Sequence, residues 1–311
     1  FYLFWGAIKT GIIPVPINTL LRSKDYAFII KDSACSGVVY SQEFSNEVEP
    51  AISKVSHKLV FSLVTRGLKS FMEETLLESS ELVANSTTPT DDCFWLYSSG
   101  TTGKPKGAVH SQRSMVITSQ LYGKDILGVC EDDICFSAAK LFFAYGLGNG
   151  MTFPLWSGAK CILYSGRPNP ESTFDVIESF KPSLFFGVPT LFAAQLHSLE
   201  TNSCDFSSLR MSISAGEALP ANILNRWKEK TGTEILDGIG STEALHIFIS
   251  NRLNDIRPGS SGLLVPGYNA KIVDENGKEV TQGEEGRLLI QGDSTCKYYW
   301  NNPEKTNETI I

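Results

Sequence analysis

The amino-acid sequence predicts an α/β fold with mainly parallel sheets, in two α/β subdomains followed by a small all-β one. Three observations predict it. Between Ala159 and Gly238, four short apolar runs alternate with three segments of helical length, the pattern of right-handed crossovers in a parallel sheet. The apolar run Phe94-Trp95-Leu96 reads as a buried strand and leads into a stretch dense in glycines and hydroxyls, Tyr97–Ala108. From Asp255 onward, Pro258, Gly259, Gly262, Pro266 and Gly267 punctuate short runs, the texture of a small β unit. The 311 residues, 42% of them hydrophobic, are enough for two or more packed units.

In chain order, Phe4, Trp5, Ala7 and Ile8 begin an apolar stretch that Pro14-Val15-Pro16 ends. Ser23 reads as the N-cap of an amphipathic segment to Lys31. Ser36–Tyr40 and Lys58–Val64 read as strands on either side of a short helix, Glu47–Val55, which gives a first α/β layer. Residues 66–92 are polar and charged and are expected to run over the surface to Tyr97–Ala108. The next helix starts after Ser111. Cys161–Tyr164 is a strand, and Glu171–Phe180 is a helix carrying Phe174, Ile177 and Phe180. Ser183–Val188 is a strand, and Pro189 opens a helix to Leu199 from the first helical position that proline favours. Met211–Ser214 is a strand. Pro220 opens a helix bearing Ile223, Leu224 and Trp227, which stops at Gly232, and Glu234–Leu236 is a strand. Ala270–Val273 and Arg287–Ile290 are strand-like, with Asp274-Glu275-Asn276-Gly277 as a hairpin signal. The chain opens on Phe1 and closes on Thr309-Ile310-Ile311, which reads as an entering strand; both ends are expected to be cut from a longer protein.

Bulk properties exclude several classes. A net charge of −7 leaves no electrostatic footprint for nucleic acid. No apolar run approaches the ~18 residues of a membrane-spanning helix. The seven cysteines (Cys35, Cys93, Cys130, Cys135, Cys161, Cys204 and Cys296) are scattered, with no C-x-x-C pair. They read as free thiols of a cytoplasmic protein, not as a disulfide framework or a metal site.

The ten residues from Ser98 to Gly107 hold three glycines, four hydroxyls and two lysines. Glycines let a loop fold around a bulky anion, N–H groups and hydroxyls donate to phosphate oxygens, and lysine adds charge. The stretch is not a Walker A loop, because Gly103-Lys104 is followed by Pro105, which removes a backbone donor, and not by a hydroxyl residue opening a helix. Open parallel sheets bind ligands beyond the carboxyl ends of their strands. Gly187-Val188-Pro189, Ser214–Pro220 and Asp237–Glu243 fall at three such ends.

Tyr97–Ala108 resembles the phosphate-binding signature of the adenylate-forming superfamily: acyl- and aryl-CoA ligases, luciferases and peptide-synthetase adenylation domains. The resemblance extends over nearly the whole chain. It implies the large N-terminal domain of such an enzyme, truncated at both ends, with α/β subdomains at 1–122 and 123–252 and a β-barrel-like subdomain at 253–311. The mobile C-terminal domain and its catalytic lysine would lie beyond Ile311, as would the ribose-binding aspartate, and the fragment alone is expected to be inactive. By the same resemblance Ser98, Thr101, Thr102 and Lys106 would hold the β- and γ-phosphates of ATP, with Ser99, Gly100 and Gly103 among the ATP-binding residues. Gly216, Glu217 and Ala218, within Ser214–Pro220, would flank the adenine. Asp237, followed by Gly238, would meet the adenine amino group, and Ser241 and Thr242 would serve the α-phosphate. Glu243, with Thr102, would hold Mg2+, and Thr102, Lys106 and Glu243 would be the catalytic set.

Lys140–Asn149, Lys181–Leu191 and Ala244–Phe248 are similar to benzoate-CoA ligases and related aroyl-CoA ligases. This narrower resemblance implies an acid pocket lined by Ala144, Tyr145, Ala215, Gly216, Gly240, His246 and Ile247. The implied reaction is ATP-dependent activation of an aromatic acid and its transfer to coenzyme A. Its partners would be small molecules (acid, ATP and CoA), with no nucleic acid and no membrane, and a homodimer as a further candidate. A ligase for a short or branched aliphatic acid, or a nucleotide-binding fragment without turnover, are the alternatives. Taken alone, Glu243 would be a solvated loop carboxylate and His246 a core histidine. Tyr298-Tyr299-Trp300-Asn301 also matches the superfamily, and its aromatics read as packing. His57 and His197 read as surface residues.

Overall fold

The computed structural model describes residues 1–67, 69–99 and 104–311. Gly100, Thr101, Thr102 and Gly103 of the expected phosphate loop therefore lie outside the described residues. In chain order the elements are α1 (Tyr2–Thr10), α2 (Ser23–Ser33), β1 (Gly37–Tyr40), α3 (Ser45–Ile52), β2 (Phe61–Val64), α4 (Phe71–Thr75), β3 (Asp92–Ser99), β4 (Pro105–Ser111), α5 (Gln112–Thr118), β5 (Ile134–Ser137), α6 (Ala144–Leu147), α7 (Phe153–Ser157), β6 (Lys160–Ile162), α8 (Pro170–Phe180), β7 (Leu184–Gly187), α9 (Pro189–Ser198), β8 (Met211–Ser214), α10 (Ala221–Thr231), β9 (Ile235–Gly240), β10 (Ile247–Ser250), β11 (Leu263–Leu264), β12 (Asn269–Val273), β13 (Arg287–Gln291), β14 (Tyr298–Tyr299) and α11 (Pro303–Thr309). Two π-helical turns, Ser119–Lys124 and Gly148–Thr152, continue α5 and α6. Among the described residues no helix is long and apolar enough to cross a membrane.

The chain packs as two units. The first comprises Phe1–Thr88, Asp92–Val109 and Lys297–Ile311. In it β1 and β2 pair in parallel, Gly37 opposite Phe61, as the α/β alternation predicts. Tyr26 and Ile30 of α2 pack on Val48 and Ala51 of α3 to form its core. Arg22, not Ser23, is the N-cap of α2: its amide meets the Asp25 carboxylate, and the Ser23 amide donates instead to Glu47 at 2.7 Å. A second sheet has the order β14-β4-β3, with Tyr299 antiparallel to Ala108. The chain end is a correction. Thr309 closes a helix, not a strand, because Asn302 caps the Lys305 amide at 3.1 Å and Pro303 occupies the first turn.

The second unit comprises Pro89–Asp91 and His110–Cys296. Its sheet has seven strands in the order β11-β10-β9-β8-β7-β5-β6. The four strands read from the alternation, β6 to β9, all run parallel, with β5 inserted between β6 and β7. The two strands at the other edge, β10 and β11, are antiparallel. Successive strand residues face opposite sides, so Phe185 joins one core with Phe136, Phe192 and Trp227, while Phe186 joins another with Cys135, Ile213 and Leu236. Burial on both faces is what the unbroken apolar runs encode.

The β-barrel-like subdomain is also corrected: the described residues contain no closed barrel. Strand β11 extends the large sheet, β12 and β13 form a separate antiparallel pair, and β14 belongs to the first unit. The Asp274–Gly277 turn exists, with the Gly277 amide donating to the Asp274 carbonyl at 3.1 Å. After it β12 makes one bridge, Val273 to Glu279, and its ladder partner is the later β13.

At the base of the sheet, Arg210 donates to both carboxylate oxygens of Asp133 at 2.9 Å, and Ser183 adds a third bond at 2.6 Å. Burial alone would raise the Asp133 pKa, but the Arg210 and Ser183 bonds and the Cys130 amide hold it at about 2. A carboxylate depressed in the folded state stabilises fully above its unfolded pKa of about 4 and loses that contribution as pH falls toward the folded value. Arg210→Leu is expected to cost about 2 kcal/mol at pH 7, below the fully buried case because the guanidinium is partly exposed. In urea unfolding, the gap between Arg210→Leu and the parent protein should shrink from pH 5 to pH 2.5; a gap independent of pH would contradict the assignment.

Candidate functional site

In the first unit, β3 ends at Ser99 and β4 begins at Pro105, on either side of the expected phosphate-binding stretch. Ser98 Oγ is buried and has no hydrogen-bond partner among the described residues. Lys104 and Ser99 are exposed. Lys106 Nζ donates to the Tyr299 hydroxyl at 2.7 Å and lies 4.2 Å from the centre of its ring. Tyr299 is therefore more than packing: it is almost wholly buried and holds the ammonium through a hydrogen bond and a cation–π contact. Its neighbours are structural, Trp300 stacking on Trp95 at 4.2 Å and Tyr298 donating to Asp92 at 2.6 Å. A side chain at Gly107 would meet the Tyr97 ring at 3.0 Å, so this glycine serves packing.

In the second unit, Asp237 is 5% exposed. One carboxylate oxygen accepts from Ser261 Oγ at 3.2 Å, and the other is buried with no hydrogen-bond partner among the described residues. Burial raises its pKa to about 6. An orphaned buried carboxylate oxygen is costly unless something donates to it. The strand end differs from the sequence expectation. Strand β9 runs on to Gly240, so Asp237 and Gly238 are within the strand, not in its turn. The cause is β10, which pairs back antiparallel with Ile247 opposite Gly240. A Cβ on Gly238 would meet the Ile249 carbonyl oxygen at 2.9 Å and one on Gly240 the His246 carbonyl oxygen at 2.7 Å, so both glycines admit the close approach of a neighbouring strand. After β8, Ala215 and Leu219 are buried while Gly216, Glu217 and Ala218 are exposed; Gly216 turns at φ +97°.

The turn after β9 carries Ser241, Thr242 and Glu243, all half-buried. Ser241 Oγ accepts from the Ala244 amide at 3.0 Å, and the Thr242 carbonyl accepts from the Leu245 amide at 3.1 Å. Leu245 is left-handed at φ +67°, a strained conformation for a bulky residue.

Tyr145 enters from α6. Its hydroxyl donates to the Ile213 carbonyl at 3.0 Å, and its partly exposed ring lies 5.6 Å from that of His246. Phe153 and Tyr122 complete the ring cluster at 4.5 and 5.3 Å from His246. His246 is 2% exposed, and burial pushes its pKa down to about 3, which keeps it neutral. Its Nε2–H donates to Asn149 Oδ1 at 3.0 Å. Ala144, Ala215 and Ile247 are buried. Tyr145 and His246 thus meet, and Gly240 lies against His246 and Ile247 through the backbone. Asn149 and Gly148, not singled out from the sequence, sit on the π-helical turn and shape the histidine; their signal was membership of the Lys140–Asn149 motif. Tyr122, Phe153 and His110 were also missed. His110 is a buried polar residue of β4, and burial lowers its pKa to about 4.

A family model described as AMP-binding enzyme matches residues 1–300. The chain is 47% identical over 311 residues to a benzoate–CoA ligase of Thauera aromatica, covering 99% of this chain and 59% of that protein. A crystal structure of a benzoate CoA ligase from Burkholderia xenovorans LB400 superposes with a TM-score of 0.93 at 42% identity, covering 99% of this chain and 62% of that one. The anthranilate CoA ligase AuaEII, solved with anthranoyl-AMP, gives a TM-score of 0.95 at 42% identity, with 98% and 59% covered. The chain thus spans about three-fifths of the length of these relatives.

Proposed function

The chain belongs to the AMP-binding enzyme family, and from that premise we propose that the protein activates an aromatic, benzoate-like carboxylic acid with ATP and passes it to coenzyme A. A carboxylate oxygen attacks the α-phosphorus of ATP, the bond to pyrophosphate breaks, and an acyl adenylate forms. The thiol sulfur of coenzyme A then attacks the acyl carbon, AMP leaves with the bridging oxygen, and the thiol proton passes to solvent. No covalent protein nucleophile is required, so the protein contributes positioning and charge neutralisation.

The observation that carries this reading is the ring cluster around His246. Neutral His246, the Tyr145 ring 5.6 Å from it at a 36° tilt, and the buried Ile247 form an uncharged, mostly apolar cluster, a chemistry that suits an aromatic ring. The relatives named for benzoate and anthranilate support it. In the roles proposed, Lys106 and Ser98 serve the phosphates together with the loop residues outside the described set. Asp237, one of whose oxygens has no hydrogen-bond partner among the described residues, accepts from the adenine amino group. Glu243 is the carboxylate for Mg2+, an ion that keeps substrate phosphates and waters as its other ligands and so needs only one or two protein carboxylates. When bound, the ion would neutralise phosphate charge. The cytoplasm is the proposed compartment, on the strength of seven free cysteines.

A panel of acids tests the proposal in the full-length protein. Pyrophosphate release should be strong with benzoate and weak with propionate or isobutyrate. The reverse order would establish the aliphatic reading, and no release with any acid would leave only nucleotide binding.

A further inference from the structure

The turn that bears Glu243 is held from outside through three consecutive carbonyls. Thr242 O accepts from His110 Nε2 at 2.9 Å, Glu243 O from the Cys296 amide at 2.7 Å, and Ala244 O from Ser294 Oγ at 2.7 Å. Ser294 is itself held by the Tyr268 hydroxyl at 2.6 Å. His110, Ser294 and Cys296 are all within 2% of full burial. The turn needs such support: it lies between two strands, outside the ladder, and includes the strained Leu245.

We propose that His110 is a positioning residue for acid activation: its hydrogen bond to the Thr242 carbonyl fixes the Thr242-Glu243 turn and, through it, the Glu243 carboxylate. The role in activation rests on the function proposed above; the clamp itself does not. The two other clamps come from one segment, Ser294–Cys296, whereas His110 alone comes from β4 and ties the turn to a second element. A displacement near 1 Å at a charged group can cost up to about 10²-fold in rate. Losing one of three clamps is expected to cost less, about tenfold.

Two variants separate positioning from bulk stability. His110→Phe keeps an aromatic ring of similar size but removes the donor. His110→Gln returns an amide N–H near the Nε2 position. In the full-length protein, His110→Phe should lower kcat for benzoate-dependent pyrophosphate release about tenfold with KM for benzoate within about twofold, and His110→Gln should recover to within about threefold of the parent. Amide hydrogen exchange at Leu245 and Cys296 should accelerate in His110→Phe and not in His110→Gln, at equal urea midpoints. Unchanged exchange and kcat in His110→Phe, or a glutamine variant as impaired as phenylalanine, would overturn the proposal. If the parent protein releases no pyrophosphate with any acid, the proposed function fails, and the exchange data alone decide whether the clamp exists. Should His110→Phe not fold, His110→Asn gives the same contrast with glutamine, because its shorter side chain leaves the amide short of the Thr242 carbonyl.

Discussion

Replacing Glu243 by glutamine is expected to lower acid-dependent pyrophosphate release by about 10²–10³-fold, the loss typical of removing one preorganised charge-stabilising group. The substitution keeps size and shape, and the side chain is half-buried. The Glu243 backbone bond from Cys296 is untouched, so the fold should persist. In the proposed role, what is lost is the negative charge that Glu243 would offer to Mg2+ beside ATP. The effect should fall on kcat at saturating acid, with the apparent Mg2+ requirement raised and KM for benzoate little changed. Steady-state assays across Mg2+ concentrations check it. A Glu243→Gln variant with parental kcat and parental Mg2+ dependence would remove Glu243 from the machinery.

The second large effect is expected at Gly148. A Cβ there would lie 2.4 Å from Cδ2 and 2.8 Å from Nε2 of His246. These distances are too short for any real contact, so the imidazole must shift, which strains its bond to Asn149. The ring is packed against Phe153, Tyr122 and Tyr145, which leaves it little room to adjust. Gly148→Ala is therefore expected to lower kcat/KM for benzoate by about 10²-fold. ATP affinity, read by calorimetry without acid, should change by less than about threefold. Equal losses for ATP and benzoate would mean general damage to the unit, and no loss would take His246 out of the acid pocket. The resemblance to aroyl-CoA ligases also puts Gly240 in the acid pocket, where a larger side chain, as in Gly240→Leu, would be expected to fill the space for a ring. The structure redirects that expectation: a Cβ at Gly240 meets the backbone of His246 and Ile247, so it would part β9 from β10 before it filled any cavity.

The parallel core was legible because burial on both faces leaves unbroken apolar runs, and because Pro189, Pro220 and Gly232 mark helix ends with little ambiguity. The antiparallel β10 was not. Ile247–Ser250 follows a polar turn with no Asn-Gly or Asp-Gly signal, and its pairing depends on two glycines whose purpose appears only when the neighbouring strand is in place. The barrel-like expectation failed for the opposite reason: the turn at Asp274–Gly277 is real, but a local turn does not specify which later strand completes the ladder. At the candidate site, motifs picked out Tyr145 and His246, whose rings the structure brings to 5.6 Å, and named Asp237 and Glu243, whose roles are proposed. They could not show that Tyr299 grips Lys106, or that His110 holds Thr242, because those pairs are 193 and 132 residues apart and join only through tertiary packing.

Oxygen tracing tests the central claim most directly. Benzoate labelled with ¹⁸O in its carboxylate is incubated with the full-length protein, ATP, Mg2+ and coenzyme A, and the products are weighed by mass spectrometry. Attack of the acid on the α-phosphorus transfers one carboxylate oxygen to AMP, so each AMP should carry one ¹⁸O and pyrophosphate none. Label in inorganic phosphate, or unlabelled AMP alongside benzoyl-CoA, would contradict adenylate formation.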